Sequence, residues 1–243
     1  MTLPPTMGAG VPMYVHPAVA ASGWAALTIA GAPVHWVILN QDTGPGDPED
    51  DVLGDAARET RDAGIRVLGY ITLSYGSRDD FFNNQDADTW HTRGFTGSFL
   101  DECPSDQAHL EAVALTVIRQ REHGMDFVVL NPGVVPVRGY ADIADQIVVF
   151  EQDLEAWRGA TFPDWMREYP PERFAALIHG VTTADEAADC VRLARQRGIH
   201  TVFCHSTTYV PQTNTWDGLP SYWQDLSRDL AAYPSRPAPG WGA

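Results

Sequence analysis

At 243 residues, with 44% hydrophobic and 20% charged residues, the chain suits one large domain with a sizeable core rather than two small ones. Its formal net charge is -16, and every basic residue is an arginine. Without lysine, Schiff-base aldolase chemistry, a pyridoxal-phosphate lysine and a P-loop lysine are excluded. Without a basic cluster, nothing in the chain suits nucleic acid. A neutral or cationic ligand fits the composition better, although ordinary surface acidity accounts for most of the charge. Three cysteines, Cys103, Cys190 and Cys204, cannot all pair and lack metal-ligand spacing, and no cofactor motif is present. No run is long enough to span a membrane, and residues 1–10 show neither a basic leader nor an apolar h-region.

In chain order, Val11 to Pro17 reads as a first strand with Tyr14 and His16 on one face, followed by an Ala-rich helix over 18–30. Val34 to Leu39 is a second strand, apolar on both faces as a buried parallel strand is, ending in Asn40. Thr43-Gly44-Pro45-Gly46 is a shaped rim loop. A helix over 52–63 stops at Gly64, and Arg66 to Thr72 is a third strand carrying Tyr70. Ser74-Tyr75-Gly76-Ser77-Arg78 is the next strand-end loop, and a polar helix with Phe81, Phe82 and Trp90 follows.

Gly97-Ser98-Phe99-Leu100-Asp101-Glu102-Cys103-Pro104 is a fourth strand that ends in two acids and a proline. Pro104 cannot continue the ladder, so the chain turns where the acids sit. Either acid could instead cap the helix that begins near Ser105. Residues 107–122 are helical, with Leu110, Val113, Ala114, Val117 and Ile118 at helical spacing. A fifth strand over 126–130 ends in Asn131-Pro132-Gly133, and a sixth, Gln146 to Phe150, ends in a further acid, Glu151. After a Trp- and Pro-rich connection come a seventh strand, Phe174 to His179, and a helix with a Thr183/Glu186 capping box. An eighth strand, Thr201 to His205, and a last helix over 221–232 complete the pattern.

This alternation predicts a single-domain α/β fold, a (β/α)8 TIM-type barrel over residues 11–233, with an N-terminal extension (1–10) and a Pro/Gly-rich tail (234–243). An open doubly wound sheet is the alternative, weakened by the absence of a GxGxxG turn. In the barrel, the C-terminal strand ends gather Asp101, Glu102 and Glu151 as candidate catalytic acids. Tyr14, His16, Asn40, Tyr70, Tyr75, Arg78, Asn131, His179 and His205 are candidate substrate contacts. Paired carboxylates among aromatics and amides are the tools of glycoside hydrolysis, provided environment separates their pKa values. Of the aromatics near strand ends, Tyr14, Trp36, Tyr75, Trp90 and Trp157, each on its own is more simply core or rim filler than a sugar platform. A carbohydrate-binding barrel without catalysis and a metal-dependent deacetylase are the competing classes, and no metal triad is evident among the histidines.

Several motifs together resemble the spherulation-specific family 4 (spherulin-4-like) proteins. These are Pro12-Met13-Tyr14-Val15-His16-Pro17, Asn40 with Gly44-Pro45-Gly46, Leu68-Gly69-Tyr70 with Tyr75-Gly76-Ser77-Arg78, Phe99-Leu100-Asp101-Glu102-Cys103-Pro104, Asn131-Pro132-Gly133 and Phe150-Glu151. They occur in the family's order within residues 11–153. The resemblance implies a (β/α)8 hydrolase of the endo-α-1,4-N-acetylgalactosaminidase type, acting on galactosaminogalactan-like polysaccharide. It places the family's acids on Asp101, Glu102 and Glu151; among them we assign Asp101 as nucleophile, Glu151 as general acid/base and Glu102 to orienting substrate or tuning a neighbour's pKa, the roles of the adjacent pair being exchangeable. It also implies export, whereas residues 1–10 read as carrying no recognisable export signal, which leaves a cytoplasmic protein or a removed leader as the expectations. Alternation argues that Asp101 and Glu102 do not both point inward unless the chain already turns at Glu102.

Overall fold

The computed structural model describes residues 3–47, 50–211 and 213–233. Eight strands form one sheet in the order β1 to β8, each parallel to its neighbour: β1 (Ala9–Pro12), β2 (Val34–Leu39), β3 (Arg66–Thr72), β4 (Gly97–Asp101), β5 (Phe127–Leu130), β6 (Gln146–Asp153), β7 (Phe174–His179) and β8 (Thr201–Cys204). Gly8 bridges in parallel to Thr201 and closes the sheet on itself, so the expected (β/α)8 barrel is observed and the open sheet is not. The helices are α1 (Ala21–Leu27), α2 (Asp51–Asp62), α3 (Asp80–Thr92), α4 (Leu110–Glu122), α5 (Tyr140–Ile143), α6 (Leu154–Gly159), α7 (Ala184–Arg197) and α8 (Trp223–Ala231). The Thr183/Glu186 capping box opens α7 as its sequence dictates. No helix among the described residues is long and apolar enough to cross a membrane.

The first strand differs from its expected place. It starts at Ala9 and ends at Pro12, so Tyr14 and His16 follow the strand, and part of the expected extension, including buried Met7, belongs to the barrel. Small residues disguise this segment because Gly and Ala are poor strand formers. Packing explains them: a Cβ at Gly10 would fall 2.2 Å from the Trp36 indole. The indole occupies that space inside the barrel, where its N–H donates to Gln146 Oε1 at 2.7 Å and its ring lies 6.0 Å from Phe99. Above this layer Tyr70 stacks on Phe99 at 6.4 Å and meets Tyr14 edge-on at 5.8 Å. An aromatic column therefore rises from the core to the C-terminal rim. Helix α1 is shorter than the expected 18–30, and the 234–243 tail lies outside the described residues.

Strand β6 carries an irregularity that positions the site. Val148 pairs with Ala175, but the next β7 residue, Ala176, pairs with Phe150, so Val149 is an extra residue in the ladder. A bulge shifts side-chain parity by one. Phe150 consequently packs outward on Trp157 of α6, with ring centroids 4.9 Å apart, and Glu151 turns into the barrel mouth.

Candidate active site

A cavity of about 610 Å³ opens at the C-terminal ends of the strands, with Asp101, Glu102 and Glu151 in its floor and wall. Asp101 ends β4, and the next residue has φ +48°, a left-handed backbone in a non-glycine residue. This turn resolves the alternation problem, because both adjacent acids face the cavity. The neighbouring rim after β3 is bent the same way, at Ser74 (φ +45°) and Tyr75 (φ +53°). The two bends are tied together: Leu73 N–H donates to Asp101 O at 2.8 Å and Tyr75 N–H to Glu102 O at 2.8 Å. Strain of this kind is held where surrounding bonds over-determine the backbone.

Asn131, one residue past β5, organises the acids. Its side-chain oxygen accepts from Gly133 N–H at 3.0 Å, which leaves the amide NH2 facing the cavity. That NH2 donates to Asp101 Oδ1 at 2.7 Å and to Glu151 Oε2 at 2.5 Å. Asp101 Oδ1 and Glu151 Oε2, bonded to one nitrogen at these distances, are therefore no more than about 5 Å apart, so the two carboxyls face each other across the cavity. Asp101 Oδ2 accepts from the Tyr70 hydroxyl at 2.7 Å, and Glu151 Oε1 from the Trp216 indole N–H at 3.1 Å. Glu102 Oε2 accepts from the Thr72 hydroxyl at 2.7 Å.

The electrostatics separate the pair. Burial, together with the negative charge of Asp101, pushes Glu151 up to about 7. Burial raises Asp101 too, but three donors favour its charged form, the Tyr70 hydroxyl, the Glu102 backbone N–H and the Asn131 amide, whereas Glu151 has two, Asn131 and Trp216. The arrangement therefore suits a proton on Glu151 and a charge on Asp101 near neutrality. Tyr70 and Tyr14 are raised, first by burial and then by the Asp101 charge, so both remain neutral hydrogen-bonding phenols.

The structure brings together Asp101, Glu102, Glu151, Tyr14, Tyr75, Asn131 and His179 on the cavity surface, with Tyr70 behind Asp101. It holds the other four predicted contacts elsewhere. His16 Nε2 lies 2.8 Å from Asp50 Oδ2, outside the cavity lining. Arg78 pairs with Asp86 at 2.7 Å and lines a separate groove between α3 and α4. Asn40 follows β2 with its side-chain oxygen buried, and His205 is buried against Trp216, with ring centroids 6.1 Å apart. Trp36, Trp90 and Trp157 are fully buried, so they are core rather than sugar platforms. Sequence reasoning missed Trp216, Asn214 and the exposed ring of Tyr209, all on the β8–α8 loop that walls the cavity. That loop has no periodicity, and only closure of the barrel brings it beside β1 and β6.

The family pattern of spherulation-specific family 4 matches residues 9–229, well beyond the 11–153 stretch in which motifs are legible by eye. Spherulin-4 of Physarum polycephalum is 31% identical over 186 residues, 71% of this chain, and the chain spans 55% of that protein's length. The crystal structure of Aspergillus clavatus Sph3 in complex with GalNAc matches with a TM-score of 0.71 at 24% identity, covering 95% of this chain and 100% of that one. N-acetylneuraminate lyase from Fusobacterium nucleatum matches at 8% identity with a TM-score of 0.51, covering 93% of this chain and 74% of that one. The two structural likenesses show a shared barrel. The sequence match, running from β1 to α8, shows more: the chain belongs to spherulation-specific family 4.

Proposed function

We propose that this chain is an endo-acting glycoside hydrolase that cleaves α-1,4 bonds of polysaccharide rich in N-acetylgalactosamine or galactosamine, with retention of anomeric configuration. The observation that carries the reading is the single Asn131 amide shared by Asp101 and Glu151, which keeps their oxygens within about 5 Å. Asp101 attacks the anomeric carbon as Glu151 gives its proton to the leaving glycosidic oxygen, forming a glycosyl ester on Asp101. Glu151, now ionised, takes a proton from water, which attacks the same carbon and releases Asp101. Attack by the substrate's own acetamido group does not suit an α-linked sugar, because that group would approach from the face the leaving group occupies.

Glu102, held by Thr72, orients a sugar hydroxyl or nitrogen. Tyr75 and Tyr209 offer exposed ring faces to sugar C–H groups at the cavity edge. No arginine is among the residues lining the described cavity, so an anionic sugar would meet three acidic side chains and no counter-ion. A neutral or amino sugar fits, in keeping with the GalNAc bound to the Aspergillus barrel.

The test is incubation of the purified protein with an α-1,4-linked N-acetylgalactosamine oligomer, reading product mass and the anomer first released. Shorter oligomers released as the α-anomer are the expected result. Release of the β-anomer overturns retention, and an intact oligomer overturns the substrate.

A further inference from the structure

We propose that Trp216, on the β8–α8 loop, is a positioning residue that fixes the Glu151 carboxyl and tunes its willingness to give up a proton. The inference rests on the acid/base role proposed above for Glu151. Each oxygen of that carboxyl meets its own neutral donor: Oε2 takes the Asn131 amide at 2.5 Å, and Oε1 takes the Trp216 indole N–H at 3.1 Å. Asn131 lies just past β5, the strand next to β6, whereas Trp216 lies 65 residues beyond Glu151 along the chain. Only barrel closure brings the two donors to opposite sides of one carboxyl.

The indole is held independently of the acid it serves. Its side chain is buried among Phe203, His205 and His179, with ring centroids 5.9, 6.1 and 6.4 Å away. Its backbone N–H donates to Asn214 Oδ1 at 2.9 Å, and Asn214 Nδ2 donates in turn to Tyr14 O at 2.7 Å. Tyr14 N–H returns a bond to Trp216 O at 3.2 Å. This three-bond latch staples the loop to the segment after β1, so the indole N–H stays in place while Glu151 changes charge.

The chemistry of the donor gives the direction of its effect. An indole N–H donates and never accepts, so it cannot take the Glu151 proton. It favours the carboxylate over the neutral acid and opposes the burial that holds the proton on. Facing Glu151 from the other elements are Asp101, Glu102, Tyr14, Tyr70, Tyr75 and His179. Asp101 is the near charge that resists ionisation, and the tyrosines are neutral phenols. Burial keeps the pKa of His179 below its ordinary value, so its imidazole is neutral at the pH where Glu151 titrates. Asn131 and Trp216 are the two groups that hold the ionised form directly. Losing Trp216 therefore raises the Glu151 pKa and makes it a poorer acid.

The experiment is Trp216→Phe, which keeps an aromatic ring and removes the donor, alongside Asn214→Ala, which keeps the donor and cuts its latch. Carbon-13 NMR of glutamate-labelled protein reads the Glu151 titration without substrate, its signal assigned by loss in Glu151→Gln. The expected result is an upward move of about half a unit to one unit in Trp216→Phe and a smaller one in Asn214→Ala. On the oligomer, kcat falls by about tenfold with KM nearly unchanged, and the alkaline limb of the rate profile moves up with the NMR titration. An unmoved Glu151 titration in folded Trp216→Phe, or in Asn214→Ala where the first variant does not fold, overturns the assignment. If wild-type protein leaves the oligomer intact, the proposed function fails, and the NMR titration still decides the role of Trp216.

Discussion

At the top of β4 the chain breaks into left-handed backbone at Glu102, whereas at the top of β6 it stays extended and carries one extra residue, Val149. Both departures aim carboxylates into the same cavity, and each answers a different geometric problem. Two consecutive acids on a regular strand face opposite sides, so presenting both requires the chain to turn between them. A single acid on the wrong face requires only a shift of parity, which one bulged residue supplies. The costs fall in different places. At β4 the cost is backbone strain, about 1–3 kcal/mol for a non-glycine residue in this region. At β6 it is electrostatic, since Glu151 is buried beside Asp101 and held far above the ordinary carboxylate range.

The largest effects come from removing the charges themselves. On the proposed mechanism, Asp101→Asn and Glu151→Gln are each expected to lower kcat/KM on a cleaved oligomer by about a thousandfold or more, roughly 4 kcal/mol of transition-state stabilisation. On the proposed mechanism, wild-type activity is expected to decline as pH rises through about 7, where Glu151 would lose the proton it donates, and a rate profile checks this. The same two variants separate the strand ends by stability. The folded pKa of Glu151 lies above its ordinary 4.5, so the folded state binds the extra proton between these values and stability falls as pH rises from 4.5 to about 7. Glu151→Gln therefore gains up to about 3 kcal/mol above pH 7 and nothing below pH 4.5. Asp101→Asn gains less, because three donors hold Asp101 in its charged form, the Tyr70 hydroxyl, the Glu102 backbone N–H and the Asn131 amide, against two for Glu151. Thermal melts at pH 4.5 and pH 8 read both. Equal gains for the two variants would show that the environments do not separate the acids.

Asn131→Ala comes next. It takes one donor from each carboxyl and frees their separation, and the expected loss is about a hundredfold in kcat/KM with little change in KM. A loss confined to KM would assign Asn131 to substrate binding instead.

The unequal devices also explain what the sequence makes legible. Buried parallel strands are apolar runs closed by turn residues, so seven of the eight strands fall close to where their composition puts them. Acids that terminate two of those runs mark the site for the same reason. The bulge leaves no mark, since Gln146 to Phe150 reads as an ordinary apolar strand and only its pairing with β7 makes Val149 the extra residue. Gly8 and Gly10 look like part of an extension because their smallness answers the volumes of His35 and Trp36, which a local reading does not weigh. His16 and Arg78 sit in the right loops but spend their polar atoms on Asp50 and Asp86. Trp216 is invisible until the ends of the barrel meet.

Smaller perturbations test the β4 end alone. Tyr70→Phe removes one donor to Asp101 Oδ2, so the Asp101 pKa rises and the acid limb of the rate profile moves up by about one unit while the alkaline limb stays. Movement of both limbs would mean that the two acids share every donor as one unit.

The smallest effect addresses the backbone itself, through glycine and alanine placed at both strand ends. In left-handed backbone a Cβ is strained, so Glu102→Gly should be more stable than Glu102→Ala by about 1 kcal/mol. In the extended backbone of β6 the order reverses, because glycine loses more freedom on folding and gains no relief there. Glu151→Ala should then exceed Glu151→Gly by about 0.5–1 kcal/mol. Comparing alanine with glycine at one position cancels the lost carboxylate and its bonds, so denaturant melts of the four variants isolate the backbone term. Alanine winning at both positions would mean that the turn after β4 carries no strain, and that the two strand ends differ in direction alone.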